Sequence, residues 1–226
     1  MFQNKTNKNT SFSYNNSMMR EQTEKEEFYN WITHGIGFAL SLLGFVLLII
    51  FEQQKSTWSL LGISLYGISL VLLYFASTIY HYERKEKQKN RYRILDHISI
   101  YVLIAGTYSP LVLIALKDSL GWVLFWIVWG IAIIGAILKI FFTGKFEVLS
   151  VLLYLIMGWL ILLDINTLIE IIDFTGLLLL FLGGLSYSLG IIFYLRHKVP
   201  YNHLVWHLFV LAGSIFHYLF IFFRVI

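Results

Sequence analysis

Cysteine is absent from all 226 residues, which excludes a disulfide framework and any thiolate metal site. A metal in this chain has to be held by imidazole, carboxylate and water. Proline occurs only twice, and charged residues make up 13% of the chain, against roughly 25% in ordinary globular domains. That deficit argues against a soluble domain and points to lipid as the solvent. What fills the chain instead is apolar: 58% of residues are hydrophobic and the mean hydropathy is +0.72. In a soluble protein the formal charge of +4 would suggest an anionic partner. In a membrane protein the placement of the cations matters more than their sum, so membrane lipids are the expected partners and nucleic acid is not.

Residues 1–25 are rich in Asn, Thr, Ser and Lys without apolar periodicity, and a disordered tail is expected there. Nothing in it resembles the apolar segment of a signal peptide. Residues 26–226 then form one transmembrane domain. A span needs about 20 mostly apolar residues to cross a hydrocarbon core of about 30 Å. Seven runs qualify, at 34–51, 58–80, 95–115, 120–138, 148–164, 175–195 and 203–223, the fifth being the shortest. The connections are short, which makes consecutive helices antiparallel neighbours. The expected fold class is therefore all-α, a polytopic seven-helix transmembrane bundle.

Orientation follows from the cations. The tail, the second loop (Arg84 to Arg93), the fourth (Lys139 and Lys145) and the sixth (Arg196 and Lys198) carry 14 Lys and Arg residues. The opposite side has only Lys55, Lys117 and Arg224. The positive-inside rule puts the N-terminus in the cytoplasm and the C-terminus outside, with the cell membrane as the expected location. Trp31, Tyr80, Tyr82, Tyr92, Tyr201 and Trp206 mark the inner ends of the spans, and Trp58 and Trp122 mark outer ends. Such rings prefer membrane interfaces.

Ionisable groups inside membrane-length helices are costly and mark functional sites by default. His203-x-x-x-His207 places two imidazoles one turn apart on one helix face. Ser77-x-x-x-His81 closes the second run, and Asp96 opens the third. All lie at one depth on the cation-rich side, although the topology was derived from Lys and Arg alone. Interfaces are wet, so single His and Asp residues also collect at helix ends for no functional reason; His97 and His197 are read that way. For His81, His203 and His207 together with Asp96 a site is expected, because three imidazoles plus water is a standard open zinc arrangement. His217 lies ten residues beyond His207, about 15 Å along the helix axis, too far to share a metal with both. It is expected to face the bundle interior, hydrogen-bonded in a polar cavity, in a role that is structural or functional.

Taken in order, these residues resemble the progestin and adipoQ receptor superfamily in its hemolysin III branch. The matching pieces are Glu27-x-x-Asn30-x-x-Thr33-His34, Ser77-x-x-x-His81, Asp96 followed by Leu103-Ile104-Ala105-Gly106-Thr107-Tyr108-Ser109-Pro110, and His203-x-x-x-His207 with His217. They cover about residues 26–223. The resemblance implies zinc held by His81, His203 and His207, with Asp96 near a zinc-bound water and Ser77 beside it. Glu27, Asn30, His34 and His217 would be supporting polar residues. Adiponectin receptors and the related alkaline ceramidases are linked to ceramide hydrolysis, and hemolysin III proteins are named for lysis of red cells. The short ends of this chain offer no segment for a protein hormone, so none is expected. Oligomeric state is left open.

The chemistry so implied is zinc-dependent hydrolysis of a lipid amide or ester at the inner interface, with Asp96 as general base and Ser77 hydrogen-bonding the carboxylate or substrate. Two alternatives stand beside it. One is a membrane cytolysin, which sits poorly with seven resident spans. The other is a zinc-stabilised sensor or regulator without turnover. A water-accessible cavity reaching the metal separates hydrolysis from a purely structural site.

Overall fold

The computed structural model describes Arg20 and residues 22–226. Residues 1–19 and 21, most of the expected tail, lie outside the described residues. Among those described, seven helices are long and apolar enough to cross a membrane: α1 Glu24–Phe51, α2 Ser59–Tyr82, α3 Glu86–Ala115, α4 Gly121–Phe142, α5 Glu147–Ile171, α6 Phe174–Tyr194 and α7 Asn202–Val225. The chain is an integral multi-pass membrane protein. α2 packs between α1 and α3, α4 lies on α3, α6 pairs with α7, and α7 returns to α1, so the bundle closes on itself in chain order. α3 is its centre: 67% of its apolar window is buried, against 22% for α6.

Helix α1 shows how such a bundle is ordered by its polar faces. Buried residues recur at Glu26, Asn30, His34, Gly37, Ser41, Gly44 and Leu48, a spacing that keeps them on one face. Ile36, Leu43, Val46 and Ile50 on the other side are more than half exposed. A soluble amphipathic helix has the opposite pattern. Here the outward face meets lipid and the polar stripe has to find partners inside.

Several boundaries differ from the sequence expectation, and α3 is one: it begins at Glu86 and not at 95, so most of the expected second loop is helix. α1 begins at Glu24, inside the segment assigned to the tail, because Thr23 and Glu26 form a capping box. The Glu26 N–H donates to Thr23 Oγ1 at 3.3 Å, and the Thr23 N–H donates to Glu26 Oε2 at 2.9 Å, satisfying two donors that a helix start leaves orphaned. α4 continues to Phe142, so Lys139 belongs to the helix and not to the loop, and it is buried. α5 was expected to stop at residue 164. It passes instead through a 3₁₀ turn at Leu160–Asp164 and resumes as helix to Ile171. Asp164 there is buried, accepting from Ser119 Oγ at 2.7 Å and from the Leu120 N–H at 3.1 Å.

Close approach of α2 and α3 sets the relative height of the groups they carry. A Cβ on Gly106 would sit 2.1 Å from Ser69 Oγ and 3.0 Å from the Leu65 carbonyl oxygen. Only hydrogen fits there, as at the small-residue contacts of membrane helices generally. Towards the basic ends of the same two helices lie Ser77, His81 and Asp96.

Candidate metal centre

The local fold delivers each imbedded histidine from a fixed point. His81 lies in the last turn of α2. α7 starts just after Pro200, with Tyr201 in the left-handed region at φ 56°, uncommon for a residue with a side chain. The Tyr201 N–H donates to Glu26 Oε1 at 2.6 Å, which ties the start of α7 to the start of α1. His203 and His207 follow in the first two turns. One ring nitrogen each from His81, His203 and His207 comes together, all within 4.8 Å of one another, and no carboxylate among the described residues joins that group.

The donor set fits a metal. His203 Nε2 and His81 Nε2 are 3.2 Å apart, and ligand nitrogens around tetrahedral zinc lie about 3.3–3.4 Å apart at the usual bond lengths. On its other side His81 Nδ1 is 2.6 Å from Glu27 Oε2, while Glu27 Oε1 accepts from Lys89 Nζ at 2.7 Å. A carboxylate on Nδ1 holds the proton there and leaves the Nε2 lone pair facing the trio, the arrangement typical behind metal-bound histidines. His207 Nδ1 lies 3.5 Å from Thr33 Oγ1, whose own proton is directed at backbone carbonyls of α1. The His34 ring stacks on His207 with centroids 3.5 Å apart and packs edge-on against Tyr74.

Ser77 and Asp96 line one small cavity together with His34, His203 and His207. Asp96 is buried, and Ser77 Oγ has no hydrogen-bond partner among the described residues. Asn30, also buried, donates Nδ2–H to Gln22 Oε1 at 2.5 Å, away from the trio. Outside the spans, the Arg20 guanidinium is held above its ordinary pKa by its hydrogen bond to the Glu26 carboxylate.

His217 does not share this centre. It lines a different, almost wholly apolar cavity, stacked on Tyr187 at 5.5 Å and with Nδ1 unpartnered among the described residues. The expected hydrogen bond in a polar cavity is therefore absent among the described residues. Gly183 makes the room: a Cβ there would meet the His217 ring at 2.6 Å. His97, read from sequence as an ordinary interfacial residue, also departs from expectation. It lines the Asp96 cavity with a buried, unpartnered Nδ1. His197 is paired with Glu147 at 3.2 Å. Sequence reasoning passed over Arg93, Lys139 and Tyr194 as site residues. The signal for Lys139 was its position directly after an apolar run, where the cation was counted for topology alone.

A family model described as Haemolysin-III related matches residues 22–218. The chain belongs to this family. Among curated relatives of the Haemolysin-III chain, "Hemolysin-3 homolog" of Bacillus subtilis (strain 168) is 47% identical over 193 residues, covering 85% of this chain and 91% of the relative. "Hemolysin-3" of Bacillus cereus is 48% identical over 194 residues, with 85% and 89% covered. More distant is the human "Monocyte to macrophage differentiation factor", 28% identical over 202 residues with 85% and 82% covered. No solved structure matches.

Proposed function

We infer that this Haemolysin-III protein is a zinc-dependent hydrolase of a lipid amide or ester. The carrying observation is that two cavities lie side by side. The small one holds His203, His207, Asp96 and Ser77, and it shares Leu73, Ile100, Trp206 and Val210 with the apolar one. The walls of the apolar cavity come from α2, α3, α5, α6 and α7. An acyl chain seated there presents its carbonyl to the histidines, the polar end of the same lipid lying towards the basic side. The excess of cations on that side supports a cytoplasmic position for the centre.

His81, His203 and His207 would hold the zinc, which would supply Lewis acidity to polarise a carbonyl and acidify a water near pH 7. The chain's own residues do the rest. Glu27 and Thr33 fix the orientation of His81 and His207. Asp96, outside the trio of ligands, accepts the proton of the attacking water and passes it to the leaving group. Ser77 Oγ, with no other partner, is free to donate to Asp96 or to the substrate oxygen.

A specific observation also supports a metal-stapled scaffold without turnover: the trio ties α2 to α7, Glu27 ties α1 to α2, and Glu26 ties α1 to the start of α7. Asp96→Asn separates the two readings. Under the hydrolase reading, metal content by mass spectrometry stays at the wild-type level while hydrolysis of ceramide and acyl esters falls by about 10²–10⁴-fold. Under the scaffold reading the wild type hydrolyses no member of the panel. His203→Ala loses metal and melting temperature in either case.

A further inference from the structure

A second polar pocket opens beside the metal centre, and its charges are out of balance. It shares His97, Tyr194 and His203 with the Asp96 cavity and is lined further by Arg93, Lys139 and Lys145. The three cations come from α3, from α4 and from the α4–α5 connection. None has a hydrogen bond or ion pair from its charged group to a described residue. Lys139 is only 4% exposed, and Arg93 Nε is buried without a partner. Among the described residues the single lining carboxylate is Glu147, which lies 3.2 Å from His197 and is one negative charge against three cations. Arg20 at the rim is spent on Glu26. Bland surface lysines extend into water, but this one is held inside, where an unpaired charge is costly. A dication in the trio would make the excess larger. The missing component is an anion.

We propose that the pocket formed by Arg93, Lys139 and Lys145 binds a phosphate group at the head of an acyl lipid, next to the metal centre. Arginine and lysine together are the usual recognition set for phosphate, the guanidinium through paired N–H donors and the ammonium as a point charge. The order of the spaces favours a lipid source. The apolar cavity, the histidine and Asp96 cavity, and the cationic pocket lie side by side in that sequence, each sharing lining residues with the next. An acyl chain, its ester and a phosphate follow one another in the same sequence in a glycerophospholipid. The proposal rests on the hydrolase reading for the fate of the ligand, and not for its binding.

Native mass spectrometry of the full chain in dodecyl maltoside tests it with dioleoyl phosphatidic acid, dioleoylglycerol, oleate and inorganic phosphate. The wild type is expected to take up phosphatidic acid at about tenfold lower concentration than dioleoylglycerol or oleate, the worth of one or two charge-assisted hydrogen bonds. Lys139→Met and, on another helix, Arg93→Gln each remove that preference and leave dioleoylglycerol uptake unchanged, which also reports that the variant is folded. Lys87→Gln, an equal loss of charge on the exposed surface, keeps it. Equal uptake of the two dioleoyl lipids, or a preference surviving in both pocket variants, overturns the site. Oleate bound as tightly as phosphatidic acid overturns phosphate as the group recognised. Inorganic phosphate displacing the lipid at equal concentration overturns the lipid source. A wild type that hydrolyses nothing but keeps the preference removes the hydrolase reading and leaves this one. Turnover of dioleoylglycerol with no binding preference does the reverse.

Discussion

Glu27 decides which nitrogen His81 presents. With Oε2 at 2.6 Å from Nδ1 and Oε1 held by Lys89, the ring has one orientation and one tautomer, and its Nε2 is free on the side of His203. Carboxylates in this position typically raise metal affinity by about 10–100-fold. Glu27→Gln is therefore expected to weaken zinc binding by that factor in a competitive chelator titration, whereas Lys89→Met, which leaves the carboxylate in place, weakens it less. Equal zinc affinity for wild type and Glu27→Gln would show that the carboxylate serves only as an ion pair with Lys89. The sequence placed Glu27 in a motif with Asn30 and His34. Its bond to a histidine 54 residues away had no local signature.

Helices matter here through where they touch. The α2–α3 contact at Gly106 admits no side chain, and both helices run on to carry Ser77, His81 and Asp96. Forcing a β-branched side chain into such a contact costs roughly 1–3 kcal/mol. Gly106→Val is expected to lower the melting temperature and to reduce the proposed hydrolysis, with the trio intact but Asp96 displaced from it. Unchanged stability in detergent would mean that the two helices separate without penalty. Element types were legible from apolar run length. Their ends were not, because Thr23 with Glu26, and Asp164 with Ser119, extend α1 and α5 past the apolar stretches through polar contacts.

Across the whole molecule, the histidine trio and the cations left without a partner among the described residues share one end, and the aromatic pairs mark both ends. Trp31 meets Tyr82 at 5.7 Å on the basic side, and Trp58 meets Trp122 at 5.2 Å on the other. The proposed orientation puts the basic end in the cytoplasm. The cysteine-free chain makes this easy to check: in intact cells, Lys87→Cys is expected to react with a permeant maleimide and resist an impermeant one. Labelling of that cysteine by the impermeant reagent would invert the topology, and with it the side from which substrate enters.

Sequence alone determined the solvent, the number of spans and the identities of the three histidines. Lipid imposes long apolar runs that are read directly from composition, and it makes every ionisable residue within them conspicuous. Tertiary structure alone decided how those residues are distributed among sites. His81 and His203 are 122 positions apart, yet their Nε2 atoms face each other at 3.2 Å. His217, on the same helix as His203 and His207, belongs to an apolar cavity instead. Lys139, an ordinary topological cation in the sequence, becomes a buried charge without a partner among the described residues. Burial and pairing depend on which faces of seven helices meet. That is settled by contacts such as Gly106 on Ser69 and Tyr201 on Glu26, which join residues far apart in the chain.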